Sequence, residues 1–189
     1  MKTFSALLLA VALTIPAFAE EAKPAVPEVK PAGSAEIQTP GHSFSVSAGV
    51  ISAPFILTNG YIFQKEQNDI ATDGKAIYAF TIATTGEYII KGMANAPDDG
   101  ANSFYVNVDA QPEDPLMIWD ITPTSGFEER VVNWRGNGSA DDDEFSPKRF
   151  KLEPGAHKLI IVGREAETQL KSLTIEPAPA APAKETPAK

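Results

Sequence analysis

The chain has 189 residues, 43% of them hydrophobic and 22% charged, which is enough for one globular core with appendages. Its 25 acidic and 16 basic side chains leave a net charge of -9, opposing the phosphate neutralisation that nucleic-acid binding requires, so no nucleic-acid partner is expected. The absence of cysteine excludes disulfides, thiolate nucleophiles, Cys-rich zinc sites and a lipidated anchor, and neither His42 nor His157 sits in a catalytic motif, so the composition points away from an enzyme.

In chain order, Lys2 precedes an apolar run over residues 4–15, and Ala17-Phe18-Ala19 offers the small residues that signal peptidase accepts, with Glu20 and Glu21 directly after. The run is shorter than the roughly 20 apolar residues of a membrane span, so residues 1–19 read as a signal peptide. The mature chain is then exported, to the periplasm or outside the cell, and no later apolar segment is long enough to span a bilayer. Residues 20–40 hold Pro24, Pro27, Pro31 and Pro40 among Ala, Glu, Lys and Val, the composition of a linker. Residues 177–189 repeat it and read as a solvated tail, leaving a folded module over residues 41–176.

Within the module the hydrophobic period is two. Ala76, Tyr78, Phe80 and Ile82 alternate with Ile77, Ala79, Thr81 and Ala83, and Phe104, Val106 and Val108 alternate with Tyr105, Asn107 and Asp109. Further strands are predicted over residues 44–51, 87–94, 116–121, 130–134, 148–152, 157–164 and 169–175, with turns at Thr85-Gly86 and Glu153-Pro154-Gly155. No stretch asks for a helix. Many short strands punctuated by Gly and Pro predict an all-β fold of two packed antiparallel sheets, a β-sandwich or jelly roll.

The carboxylate clusters are not spaced as metal loops. Asp141, Asp142, Asp143 and Glu144 are consecutive, whereas calcium-loop ligands alternate around a glycine, so they read as a solvated acidic loop and no metal or cofactor is expected. Asp98 and Asp99 lie between Pro97 and Gly100, where they either satisfy local backbone groups or contact a ligand. Trp119 shares the parity of Met117 and Ile121 and is expected in the core. Trp134 ends a predicted strand before Arg135-Gly136-Asn137-Gly138, and either stands at the sandwich rim or caps the core.

The order AIYAFTIATTGEYIIKGMANAPDDGANSFYVNVD, an aromatic strand around Trp134, then FKLEPGAHKLIIVGREAETQLKSLTI, resembles the galactose-binding-like jelly roll of carbohydrate-binding module families six and thirty-five, over residues 43–176. The resemblance implies a non-catalytic module that binds a glycan. Such modules often hold a structural calcium, and the resemblance places its two carboxylates at Ser47 and Lys171, where this chain has none. Lys171 shares the parity of Leu173 and Ile175, so it either starts on their face, where an ammonium repels a divalent ion, or snorkels to solvent.

Sugar recognition requires an aromatic face for the C–H side of a pyranose and planar polar groups for its hydroxyls. Trp134 is the leading platform by position. The resemblance gathers the pocket from the loop after residue 94 and the loop before the last strand, which nominates Asn95, Asp98, Asp99, Asn102, Glu165 and Glu167, with Gln169 standing in for an asparagine. Arg164 and Glu165 are alternatively a structural ion pair. Tyr61 and Phe63 fit an ordinary edge strand. The acidic loops disfavour anionic polysaccharides, so a neutral glycan is the expected partner. The alternative is an envelope scaffold that binds another protein on the same sandwich.

Overall fold

The computed structural model describes residues 37–38, 41, 43–135 and 145–180. The signal peptide, most of the predicted linker, His42, residues 141–144 and the tail from residue 181 lie outside the described residues.

Alternation builds two sheets. In β6 (Lys75–Ile82) Ala76, Tyr78, Phe80 and Ile82 are buried; Phe104 and Val106 are buried in β8 (Ser103–Val108), and Leu159 and Ile161 in β12 (Gly155–Gly163). With Trp119 of β9 (Ile118–Asp120) they form the inner face of the first sheet, ordered β1 (Ile37–Gln38), β6, β12, β8, β9, with β3 (Val50–Ser52) also against β6. The second sheet is ordered β10 (Glu128–Val131), β7 (Gly86–Asn95), β13 (Gln169–Pro177), β5 (Tyr61–Phe63), β4 (Ile56–Thr58); β11 (Phe150–Leu152) joins β7 and β2 (Ser43–Ser45) joins β13. Among the described residues every pairing is antiparallel except that of β1 with β6.

The facing sides interlock in one core that includes Ile62, Tyr88, Ile90, Leu170, Leu173 and Ile175 from the second sheet. Each such side chain contributes about 1.5–3 kcal/mol on full burial. Trp119 is fully buried, as its parity predicts, and β7 makes room for it at Gly92, where a Cβ would lie 2.5 Å from the indole. This is an antiparallel β-sandwich of jelly-roll type. Among the described residues no helix is long and apolar enough to cross a membrane.

Three local expectations are corrected, and of the two positions open to Lys171 the solvent-facing one is found. Residues 44–51 are two strands in different sheets, because a 3₁₀ turn at Val46–Ala48, capped by the Ser45 hydroxyl, carries the chain across the core over buried Val46. The strand predicted over residues 130–134 runs Glu128–Val131 instead; Asn133 leaves the ladder so that its buried amide can accept from Asp120 N (2.9 Å) and donate to Asp120 O (2.7 Å), closing the sandwich edge against β9. Lys171 points outward because a β-bulge between Leu170 and Ser172 shifts the register, giving Leu170 the inward position. β5 is not an edge strand, since β4 pairs outside it. The sheets also reach past both predicted module ends: β1 falls in the predicted linker, β13 runs to Pro177, and Ala178 N donates to Glu87 O at 2.8 Å.

At the end where β12 begins, His157 joins two turns. Its Nδ1 is 2.6 Å from the Asp109 carboxylate and its Nε2 2.7 Å from the Glu153 carbonyl. Asp109 is held at φ 63 by exchanging bonds with Lys158, accepting from its N–H at Oδ1 and donating to its carbonyl. Both ring nitrogens face acceptors, so only the imidazolium satisfies both. Burial works against that charge, but the Asp109 carboxylate and the Glu153 carbonyl outweigh it and raise the His157 pKa.

Candidate functional site

The opposite end of the sandwich gathers residues 96–102, 121–127 and 164–168, because β7, β9 and β12 all finish there. Asn95 Nδ2 donates to Gln169 Oε1 (3.1 Å) and Asn95 Oδ1 accepts from the Thr124 hydroxyl (3.3 Å). Glu165, nearly buried, accepts from Asn102 N at 2.9 Å and pairs with Arg164, whose guanidinium also donates to Ser103 Oγ at 2.7 Å. Asp98 accepts from Gly100 N at 2.8 Å, which fixes its own turn, while Asp98, Asp99 and Glu167 face solvent. The nominated polar residues are therefore neighbours at one rim. Glu165 and Arg164 serve mainly to tie the loops together.

Trp134 is not with them. Val132 N bonds Ile90 O, five residues down β7 from Asn95, and Trp134 follows on the sandwich flank. Its indole N–H donates to Val106 O at 2.9 Å, its ring meets Phe150 edge-on at 5.9 Å, and the Lys148 ammonium lies 3.7 Å from its ring centroid. One ring face is thus occupied by a cation whose pKa burial lowers. Beside it the Arg135 guanidinium makes a two-bonded pair with buried Asp120. This is the core-capping alternative of the two positions open to Trp134.

The outer face of the second sheet, near the rim, supplies what Trp134 does not. Register aligns Glu128, Ala94, Leu170 and Ile62 across β10, β7, β13 and β5. Ala94, Leu170 and Ile62 point into the core, so their sequence neighbours point out. Phe63, Gln169, Asn95 and Phe127 then make one outward row, with Tyr61 and Lys171 beside it. Tyr61 lies 5.8 Å from Phe63 and 5.5 Å from Phe127 between ring centroids, all three rings being half-buried. The Lys171 ammonium is 5.6 Å from the Phe127 ring. Two nominated residues, Asn95 and Gln169, thus stand on the same face as an aromatic cluster. Phe127 was missed in the sequence because Thr122-Pro123-Thr124-Ser125-Gly126 before it reads only as a loop.

The calcium that the resemblance implies does not fit the residues at its two positions. Ser47 is exposed and its hydroxyl lies 2.9 Å from that of Ser45, and Lys171 brings an ammonium instead of a carboxylate. A divalent ion is repelled by that charge and gains no anionic ligand from either position.

No protein-family model matches this chain, and no curated protein is similar to it at a significant level. Among solved structures it is similar to a family 35 carbohydrate-binding module from Clostridium thermocellum, with a TM-score of 0.50 and 12% identity over 72% of this chain and 98% of that one. It is also similar to the C-terminal family 6 module of a marine laminarinase from Zobellia galactanivorans (TM-score 0.49, 10% identity, 71% and 98% covered). A third similarity is to a β-(1,4)-mannanase from Podospora anserina with a family 35 module (TM-score 0.48, 12% identity), of whose length this chain spans 28% while 75% of this chain is covered. What is shared at such identity is the fold: the chain has a jelly roll like that of the family 35 module.

Proposed function

We propose that the chain is an exported, non-catalytic carbohydrate-binding module that holds a neutral glycan on the outer face of its second sheet. The observation that carries this reading is the half-exposed Tyr61, Phe63 and Phe127 cluster beside the Asn95–Gln169 amide pair. Aromatic rings receive the C–H face of a pyranose, and amides fix its hydroxyls. Lys171 adds a three-proton donor at the edge of the same cluster. The ligand gains no covalent chemistry here; it is positioned and released.

A glycan array probed with the secreted protein tests this. The expected result is binding to at least one neutral polysaccharide, weakened in the Phe127→Ala variant. Silence across the array, with capture of an envelope protein by the same face, would replace the glycan reading with the scaffold one.

A further inference from the structure

The aromatic row does not stop at Phe63. Ile56 of β4 pairs with Phe63 of β5, and directly opposed residues share a face, so Ile56 extends the outward row to the sheet edge. From β10 to β4 the row crosses four inter-strand steps, about 19 Å at the usual strand spacing of about 4.8 Å. At that edge it meets a cleft of about 490 Å³, lined by Ala53, Pro54 and Ile56 and, from the loop after β5, by Lys65, Glu66 and Asn68.

The cleft has no aromatic ring of its own, but it combines apolar and polar surface. Pro54 and Ile56 offer apolar surface, while Glu66 and Lys65, both exposed, offer a planar two-oxygen acceptor and a donor for neighbouring hydroxyls. Its loop is braced. Asn68 Nδ2 donates to Glu66 O (3.3 Å), and Thr72 N and Oγ1 both donate to Asp69 O (2.8 and 3.1 Å). At the head of the loop the buried Gln64 amide donates to Asp73 (3.0 Å), and Gln64 O accepts from Glu167 N (2.8 Å), joining the cleft to the rim loops. A cleft held this way does not have to be ordered when a ligand enters.

We infer that this cleft is a second subsite of the same glycan, so that the ligand is a chain of several pyranose units laid across the strands, with one unit in the cleft and others against Phe63, Tyr61 and Phe127. This rests on the glycan reading above and deepens it: several linked pyranose units are bound together, not a single monosaccharide.

Calorimetry with β-1,4-linked gluco-, xylo- and manno-oligosaccharides and β-1,3-linked gluco-oligosaccharides, from disaccharide to hexasaccharide, tests it on the intact secreted protein. For the series that binds, affinity should rise about tenfold or more with length. A Lys65→Ala/Glu66→Ala double variant, whose exposed side chains leave the fold unaffected, should lose about fivefold or more on the hexasaccharide and nothing on the disaccharide. Phe127→Ala should weaken every length that binds. Affinity independent of length, or a hexasaccharide bound equally by wild type and the double variant, overturns the second subsite while leaving the module reading intact. If no series and no arrayed polysaccharide binds, the module reading falls and the subsite with it.

Discussion

The rings of Tyr61 and Phe127 lie 5.5 Å apart, although β13 and β7 stand between β5 and β10 in the sheet. The two side chains reach toward each other across the strands, with Lys171 close beneath Phe127. An aromatic cluster assembled from so distant a pair of segments depends on the registers of β13 with β7 and of β5 with β13, and therefore on the bulge at Lys171.

Trp134 is expected to matter for stability and not for binding. Trp134→Ala removes the bond to Val106 O, the edge contact with Phe150 and the ring beneath Lys148. Truncating a tryptophan so placed costs about 3 kcal/mol. Urea unfolding should show that loss, while the folded fraction binds glycan as wild type does.

Calcium is expected to leave the melting temperature unchanged. A ligand of the native state raises it by mass action, and Ser47 and Lys171 provide no anionic pair to hold the ion. Thermal melts with excess calcium and with a chelator should superimpose; a drop on chelation would place a calcium site elsewhere in the chain.

Stability is expected to fall as the solution becomes alkaline. The folded pKa of His157 is raised above its ordinary 6.5, so its clasp contributes fully below that value and is lost as pH rises through the higher folded one. Urea unfolding across this window should report the decline. Asp109→Asn should flatten it, because the carboxylate that favours the imidazolium is gone; a wild-type stability that climbs across the window would show that the histidine is held neutral.

How much could be read from the sequence differs by element. β6, β8 and β12 were legible because their inward and outward residues alternate without interruption, as at Ala76, Tyr78, Phe80 and Ile82. Residues 44–51 were not, since a chain that crosses between sheets keeps an apolar pattern through its turn while its pairing partner changes. Parity left Lys171 open between the inner face and solvent, because a bulge adds one residue that the period cannot reveal. Asn95, Asn102, Glu165 and Gln169 were nominated by the resemblance and not by any period in the strands, since a grouping of loop residues leaves no alternation to read. The company of Tyr61, Phe63 and Phe127 was not foreseen, because it follows from registers among β5, β13, β7 and β10, which are long-range facts.

The most direct test of glycan recognition on the second sheet is calorimetric titration of the Tyr61→Ala/Phe127→Ala variant, beside wild type, with a polysaccharide that wild type binds. Both rings are half-buried and outside the main core cluster, so the variant should keep its cooperative melt. The predicted result is a folded protein whose affinity has dropped about tenfold or more, which is a loss of about 1.4 kcal/mol. A folded variant that binds the polysaccharide as tightly as wild type would contradict it.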